Sequence, residues 1–298
     1  VLAEAARRHP EGNIVCGYLD HTVIPRDARQ FDTRIRDVFF ATLGFRGLGA
    51  PLHMSTTAVR ATCITEIGGF RCQYPTAEDW EFWGRASALY PVIIADCAIA
   101  HHRLDHGDSK HDAYTASGEK VAVCKRIYQD LATDPRISQR LVQNGEQDTF
   151  DRLLQAHLLA LDAVQDIRNG HGPAAAAAVE SAVSLCHDQG EVERLLGALR
   201  FALHYPHSQP REAAERALNL MENIARCLTR PSSRHIQRTL RAVAADGCFY
   251  AAAELRRRRH FAAAWKLALL SCYRVPTLLS LKCLIRFAWP ARRKVHGQ

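Results

Sequence analysis

The chain has 298 residues, 47% of them hydrophobic and 23% charged, with a formal net charge of +8. That length accommodates two modest domains, and the composition excludes a disordered, collagen-like or disulfide-dense scaffold. Ten cysteines are scattered singly with no C-x-x-C pair, which argues against a zinc finger and favours buried thiols in a reducing compartment, although an even count leaves a disulfide framework open.

In chain order, the opening residues read as a helix ending near His9-Pro10, and residues 13–18 (N-I-V-C-G-Y) read as a buried strand. The first residue is Val1, with no basic-then-apolar signal segment after it. The expectation is a sequence that starts inside a longer protein. Residues 61–67 and 78–90 have helical spacing, the first closed by Gly68-Gly69 as a left-handed cap would close it. Residues 91–100, with β-branched Val92-Ile93-Ile94, read as a second strand.

The texture changes near residue 112. Beyond it the spacing predicts helices over 150–167, 174–186, 191–203, 210–228, 233–256 and 261–272, punctuated by Pro206, Pro210, Pro231 and Pro276. No 34-residue repeat emerges from the Ala-rich alternation. Residues 261–290 are apolar but carry Lys266, Arg274, Lys282 and Arg286. Each such charge is costly at a bilayer centre, which argues against a spanning helix. Packed helices are the simpler reading, and an interfacial helix on an anionic membrane is the alternative. Arg256-Arg257-Arg258-Arg259 and Arg292-Arg293-Lys294 hold much of the positive charge. No aromatic interleaving or nucleic-acid-reading motif accompanies them, so nucleic acid is not an expected partner.

Three segments carry chemistry. Gly68-Gly69-Phe70 leads into Glu78-Asp79-Trp80-Glu81-Phe82-Trp83. Acids there suit a helix N-terminus, and Trp80 and Trp83, three apart, are expected to share a face as an apolar wall or sugar-stacking platform. A carboxylate beside such a wall can act as a general base toward a hydroxyl. The run from His101 to Asp112 is dense in His and Asp, which invites a metal reading; a solvated polar loop is the plainer one. Its His111-Asp112 pair lacks the further helical ligands that a His-Asp phosphohydrolase needs. Residues 52–60 form a strand-like run with Ser55, Thr56 and Arg60, uninformative alone.

Taken in order, these elements resemble the C-terminal half of the catalytic domain of family 2 glycosyltransferases, inverting enzymes of the GT-A fold. The matching series is Ser55, Thr56 and Arg60 on a strand, the Gly68-Gly69-Phe70 turn, the Glu78-Asp79-Trp80 helix start, Arg85 within that helix, a strand, and then Arg103, His106 and Ser109 in an R-x-x-H-x-x-S run. The resemblance covers roughly residues 10–112.

It implies a partial GT-A α/β domain over 1–112, with the donor-binding half absent, and an all-α domain over 113–298. It implies a hexosyltransferase-like enzyme working in the cytoplasm on surface polysaccharide synthesis, with peripheral contact at the inner face of the membrane left open. Asp79 takes the role of catalytic base toward the acceptor hydroxyl. Glu78, Trp80, Gly69 and Phe70 bind the acceptor, Arg103 and His106 lie at the donor diphosphate, and His106 at the metal. The implied cofactor is a divalent cation, Mg or Mn. The implied partners are a nucleotide-sugar donor and a glycan, lipid-linked or protein acceptor. One departure stands out: the family's D-x-D motif occurs nowhere in the 298 residues, so this chain alone is expected to be inactive. The alternative function is a non-catalytic helical interaction module over 113–298.

Overall fold

A computed structural model describes residues 1–20, 31–45, 52–101, 118–198, 236–238, 252, 255–256 and 260–274. Its sheet is built from β1 (Ile14–Asp20), β2 (Thr33–Arg36), β3 (Thr57–Val59) and β4 (Val92–His101), in the spatial order β2-β4-β1-β3. The two central strands are parallel, with Ile14 opposite Val92, Val15 opposite Ile93 and Cys16 opposite Ile94. β2 runs antiparallel to β4, and β3 antiparallel to β1.

The residue alternation of a strand sorts these side chains onto two faces. Ile14, Cys16, Val92 and Ile94 face one core, filled by Cys63 and Ile67 of helix α3 (Ala61–Ile67) and by Phe82, Trp83 and Ala86 of helix α4 (Glu78–Leu89). Val15, Ile93 and Ala95 face the other, with Phe31 and with Ala5 of helix α1 (Leu2–Arg8). Burial on both faces is what makes the central strands read as unbroken apolar runs.

Among the described residues six further helices follow β4, after the short helix α2 (Phe39–Thr42) earlier in the chain. They are α5 (Glu119–Ala132), α6 (Pro135–Gln143), α7 (Gln147–Arg168), α8 (Gly172–Ser184), α9 (Gln189–Ala198) and α10 (Phe261–Arg274). Asp134 caps α6, accepting the Arg136 backbone N–H at 3.0 Å, and Pro135 opens the helix. Mixed α/β content followed by helices is the layout the sequence predicts. The predicted helices over 210–228 and 233–256 fall largely outside the described residues.

By contact, the chain divides into two compact units: Val1–His111 with Glu119–Leu158 and Leu185–Leu195, and Asp112–Gly118 with Leu159–Ser184 and Leu196–Gln298. In the first unit α5 lies against α4 where Gly84 leaves room. A Cβ at Gly84 would come within 2.9 Å of Leu131 Cδ1. An aromatic core sits nearby, with Phe39 stacked on Phe150 (centroids 5.8 Å) and Phe45 stacked on Tyr128 (5.5 Å). His157 lies 4.6 Å from the Phe45 ring. Its Nδ1–H donates to the Leu153 carbonyl at 2.9 Å, and burial pushes its pKa down to about 4.

Candidate functional site

The start of α4 is an acidic first turn, with Glu78, Asp79 and Glu81 against the helix's positive end. Glu78 is exposed and Asp79 half-buried. Asp79 Oδ1 accepts the Trp80 backbone N–H at 2.8 Å. One carboxylate oxygen is thereby tethered, and Oδ2 makes no hydrogen bond among the described residues. A carboxylate held by one oxygen and presenting the other has the geometry to take a proton from a hydroxyl. The residue that leads into the helix, Ala77, sits in the left-handed region at φ 58°, ψ 22°. For a residue with a Cβ this costs about 1–2 kcal/mol, so strain is stored one residue before the acidic turn.

The Gly68-Gly69-Phe70 turn is fastened to α4 by Arg85. Its guanidinium donates through Nη1 to the Ile67 carbonyl and through Nη2 to the Gly69 carbonyl at 2.8 Å, closing the C-terminus of α3. The same fork binds Glu81 in bidentate fashion, Nε to Oε1 at 2.6 Å and Nη2 to Oε2 at 2.8 Å. Both side chains are buried within α4. Gly68 adopts φ 79° with ψ 161°, so the expected left-handed helix cap is not formed. The turn is extended and positive in φ, a conformation that favours glycine, and it aims the carbonyls at Arg85 instead.

The clasp continues outward. Arg71 approaches Glu81 Oε1 at 3.3 Å and Asp134 Oδ2 at 3.9 Å. Arg136 Nη2 reaches Asp134 Oδ2 at 2.8 Å, and its Nη1 donates to the Glu66 carbonyl at 3.0 Å. Burial pushes the Asp134 carboxyl up, but the Arg136 hydrogen bonds outweigh it and the pKa falls below the usual carboxylate range.

Phe70 is exposed, and its ring lies 4.7 Å from that of Phe82. Phe82 is three residues after Asp79, on the same side of the helix. Phe70 thus packs on α4 against the residue one turn beyond Asp79, with exposed Gly69 beside it on the turn.

The expected two-tryptophan wall is not formed. Trp83 is buried in the core against the sheet, with Nε1 lacking a hydrogen-bond partner among the described residues. Trp80 turns the other way. Its Nε1–H donates to the Thr42 carbonyl at 2.7 Å and its ring meets Tyr128 edge-on at 5.0 Å. A spacing of three leaves the two Cα–Cβ bonds about 60° apart, and the side chains diverge from there, one ring toward the sheet and the other toward α5.

Arg60 also has a local task, donating from Nε to the Gly12 carbonyl at 2.6 Å and from Nη2 to the Pro10 carbonyl at 2.5 Å. Thr56 is buried, and Ser55 is exposed. Arg103, His106 and Ser109 lie outside the described residues.

Sequence reasoning missed Glu81, Arg71, Asp134 and Arg136. Only Glu81 carried a local signal, the i, i+4 spacing to Arg85. Among the described residues no three of His, Cys, Asp and Glu converge as a metal site would require. Cys16, Cys63 and Cys124 are buried free thiols, and burial raises Cys16 to about 12. No protein-family model, no curated protein and no solved structure matches this chain.

Proposed function

We propose that this chain carries the acceptor side of an inverting glycosyltransferase that uses a nucleotide-sugar donor. The observation that carries the reading is Asp79, tethered by one oxygen at the start of a helix that Arg85 locks to the Gly68-Gly69-Phe70 turn. Topology adds support. α4 returns into β4 through Tyr90 and Pro91 alone, so the helix start and the carboxyl end of β4 point the same way. Ligands of open α/β sheets gather at the carboxyl ends of strands.

In this reading an acceptor hydroxyl rests against Phe70 and Gly69, oriented by Glu78, with Trp80 fixing the pocket's inner edge. Asp79 Oδ2 takes the hydroxyl proton as the oxygen attacks the anomeric carbon. The bond from that carbon to the donor diphosphate breaks on the opposite side, and configuration inverts. Arg103 and His106 are assigned to the departing charge. The divalent cation that the resemblance implies wants a set of oxygen donors, and with no D-x-D in the sequence the described residues do not supply one. It belongs to the proposal only as a group held elsewhere, and no step here runs through it. Nor is any described helix long and apolar enough to cross a membrane; we place the reaction at the cytoplasmic face, on a surface-glycan, lipid-linked or protein acceptor.

The test is sugar transfer by the full-length protein from nucleotide-sugar donors. Asp79→Asn is expected to lower turnover by about 10²–10⁴-fold while leaving the thermal midpoint unchanged. Undiminished transfer would remove Asp79 from the base role.

A further inference from the structure

The charge of this chain is segregated. Residues 255–298 hold eleven Lys and Arg and no Asp or Glu, whereas the first 254 residues hold 28 basic against 31 acidic. The whole positive excess therefore lies in the last 44 residues, and the rest of the chain is slightly acidic. Within that segment α10 has two unlike sides. Ala264, Leu267 and Ala268 are buried. Phe261, Trp265 and Leu269, spaced i, i+4 and i+8, form one stripe exposed at 56%, 37% and 52%, with exposed Lys266 beside it.

A stripe of two aromatics and a leucine facing solvent is costly for a surface that meets only water. Basic residues crowd the same stretch of chain: Arg256 to Arg259 immediately before the helix, Lys266 within it and Arg274 at its end. Fourteen residues of α-helix are about 21 Å long, short of a hydrocarbon core of about 30 Å. A helix of this length with an apolar stripe and cationic flanks suits the headgroup–acyl boundary, where Trp and Phe are at home and anionic headgroups meet Lys and Arg. Nucleic acid would engage the charge but has no use for the Phe261–Leu269 stripe.

We infer that α10 is a membrane-docking helix, lying in the plane of an anionic phospholipid surface with Phe261, Trp265 and Leu269 inserted and the flanking basic residues on the headgroups. The inference rests on exposure and charge alone and does not depend on the transferase reading.

The test is flotation of the chain with vesicles of phosphatidylcholine, with and without about 30% phosphatidylglycerol, at low salt and at about 0.5 M salt. Binding is expected to the anionic vesicles only. Replacing Arg257, Arg258 and Arg259 together by Gln should weaken partition about a hundredfold. Trp265→Glu, and separately Leu269→Glu as a second exposed position, should each weaken it about tenfold with an unchanged far-UV spectrum. Three results would overturn the proposal: no flotation with anionic vesicles; equal flotation with neutral ones; or binding that survives both glutamate substitutions and is stripped by short duplex DNA, which would make the segment a general polyanion site.

Discussion

Arg85 and His157 are both polar residues buried in helices of the same compact unit, and the protein handles them in opposite ways. Arg85 is held in an ion pair, with its donors spent on the Glu81 carboxylate and the carbonyls that end α3. His157 gives its charge up. Packed beside Phe45 and Tyr128, it is a neutral ring with one hydrogen bond to its own helix. A fork of donors matched by acceptors makes a fixed joint, whereas a neutral imidazole among aromatic rings makes a liability to acid. The joint sits under the proposed acceptor face, where geometry must hold, and the imidazole in a core where only packing is asked of it.

The largest way to break this contrast is Arg85→Met. It leaves Glu81 buried beside Arg71 alone and strips the turn carbonyls of their donor, so a loss of about 3–5 kcal/mol is expected in urea unfolding. A loss below about 1 kcal/mol would show that Arg71 is sufficient and that the clasp is not a joint.

Acid sharpens the other side. The folded His157 pKa is depressed to about 4 from an ordinary 6.5, so between those values the unfolded chain takes up a proton that the folded one refuses. Stability must therefore fall as pH drops from 6.5 toward 4, by about 3 kcal/mol at the full shift. His157→Phe should flatten that window; an unchanged slope would mean that another group carries it. Glu191 acts in a different window. Its hydrogen bonds from Arg152 draw it down to about 2, so its contribution is present above the ordinary carboxylate pKa of 4.5 and is lost as pH falls toward 2.

The smallest effect tests the entry to α4. Ala77→Gly relieves the left-handed backbone and should raise stability by up to about 1 kcal/mol, offset in part by a more flexible unfolded chain. A measured loss would deny the strain.

How much of this was legible in the sequence follows the physics of each element. The central strands and α3, α4 and α7 were read nearly to their ends because burial on one or both faces writes a periodic apolar pattern. β2 was invisible. Its Thr-Arg-Ile-Arg run has three exposed residues, Ile35 among them, so no face is marked. β3 is three residues long and occupies only the end of the strand-like run. At the site, Asp79 and the glycine turn were placed by their order along the chain, and the packing of Phe70 on Phe82 follows from the structure. The carbonyl partners of Arg85 were not legible, because Ile67 and Gly69 meet it through space, as Arg71 meets Glu81. Trp80 and Trp83 misled because a spacing of three fixes an angle on the helix but not which way each ring turns.

The strand order β2-β4-β1-β3 also dictates a sequence of assembly. β1 can close on β3 once Val59 is made, but among the described strands β2 pairs only with β4, which begins at Val92. A nascent chain thus carries β2 without its partner until some 60 further residues have emerged. The parallel β1–β4 register is the pairing most distant in sequence among the described strands, and its long loop closure makes it the slow one to form. The two arginines of β2, Arg34 and Arg36, keep that waiting strand from pairing with another chain in the meantime.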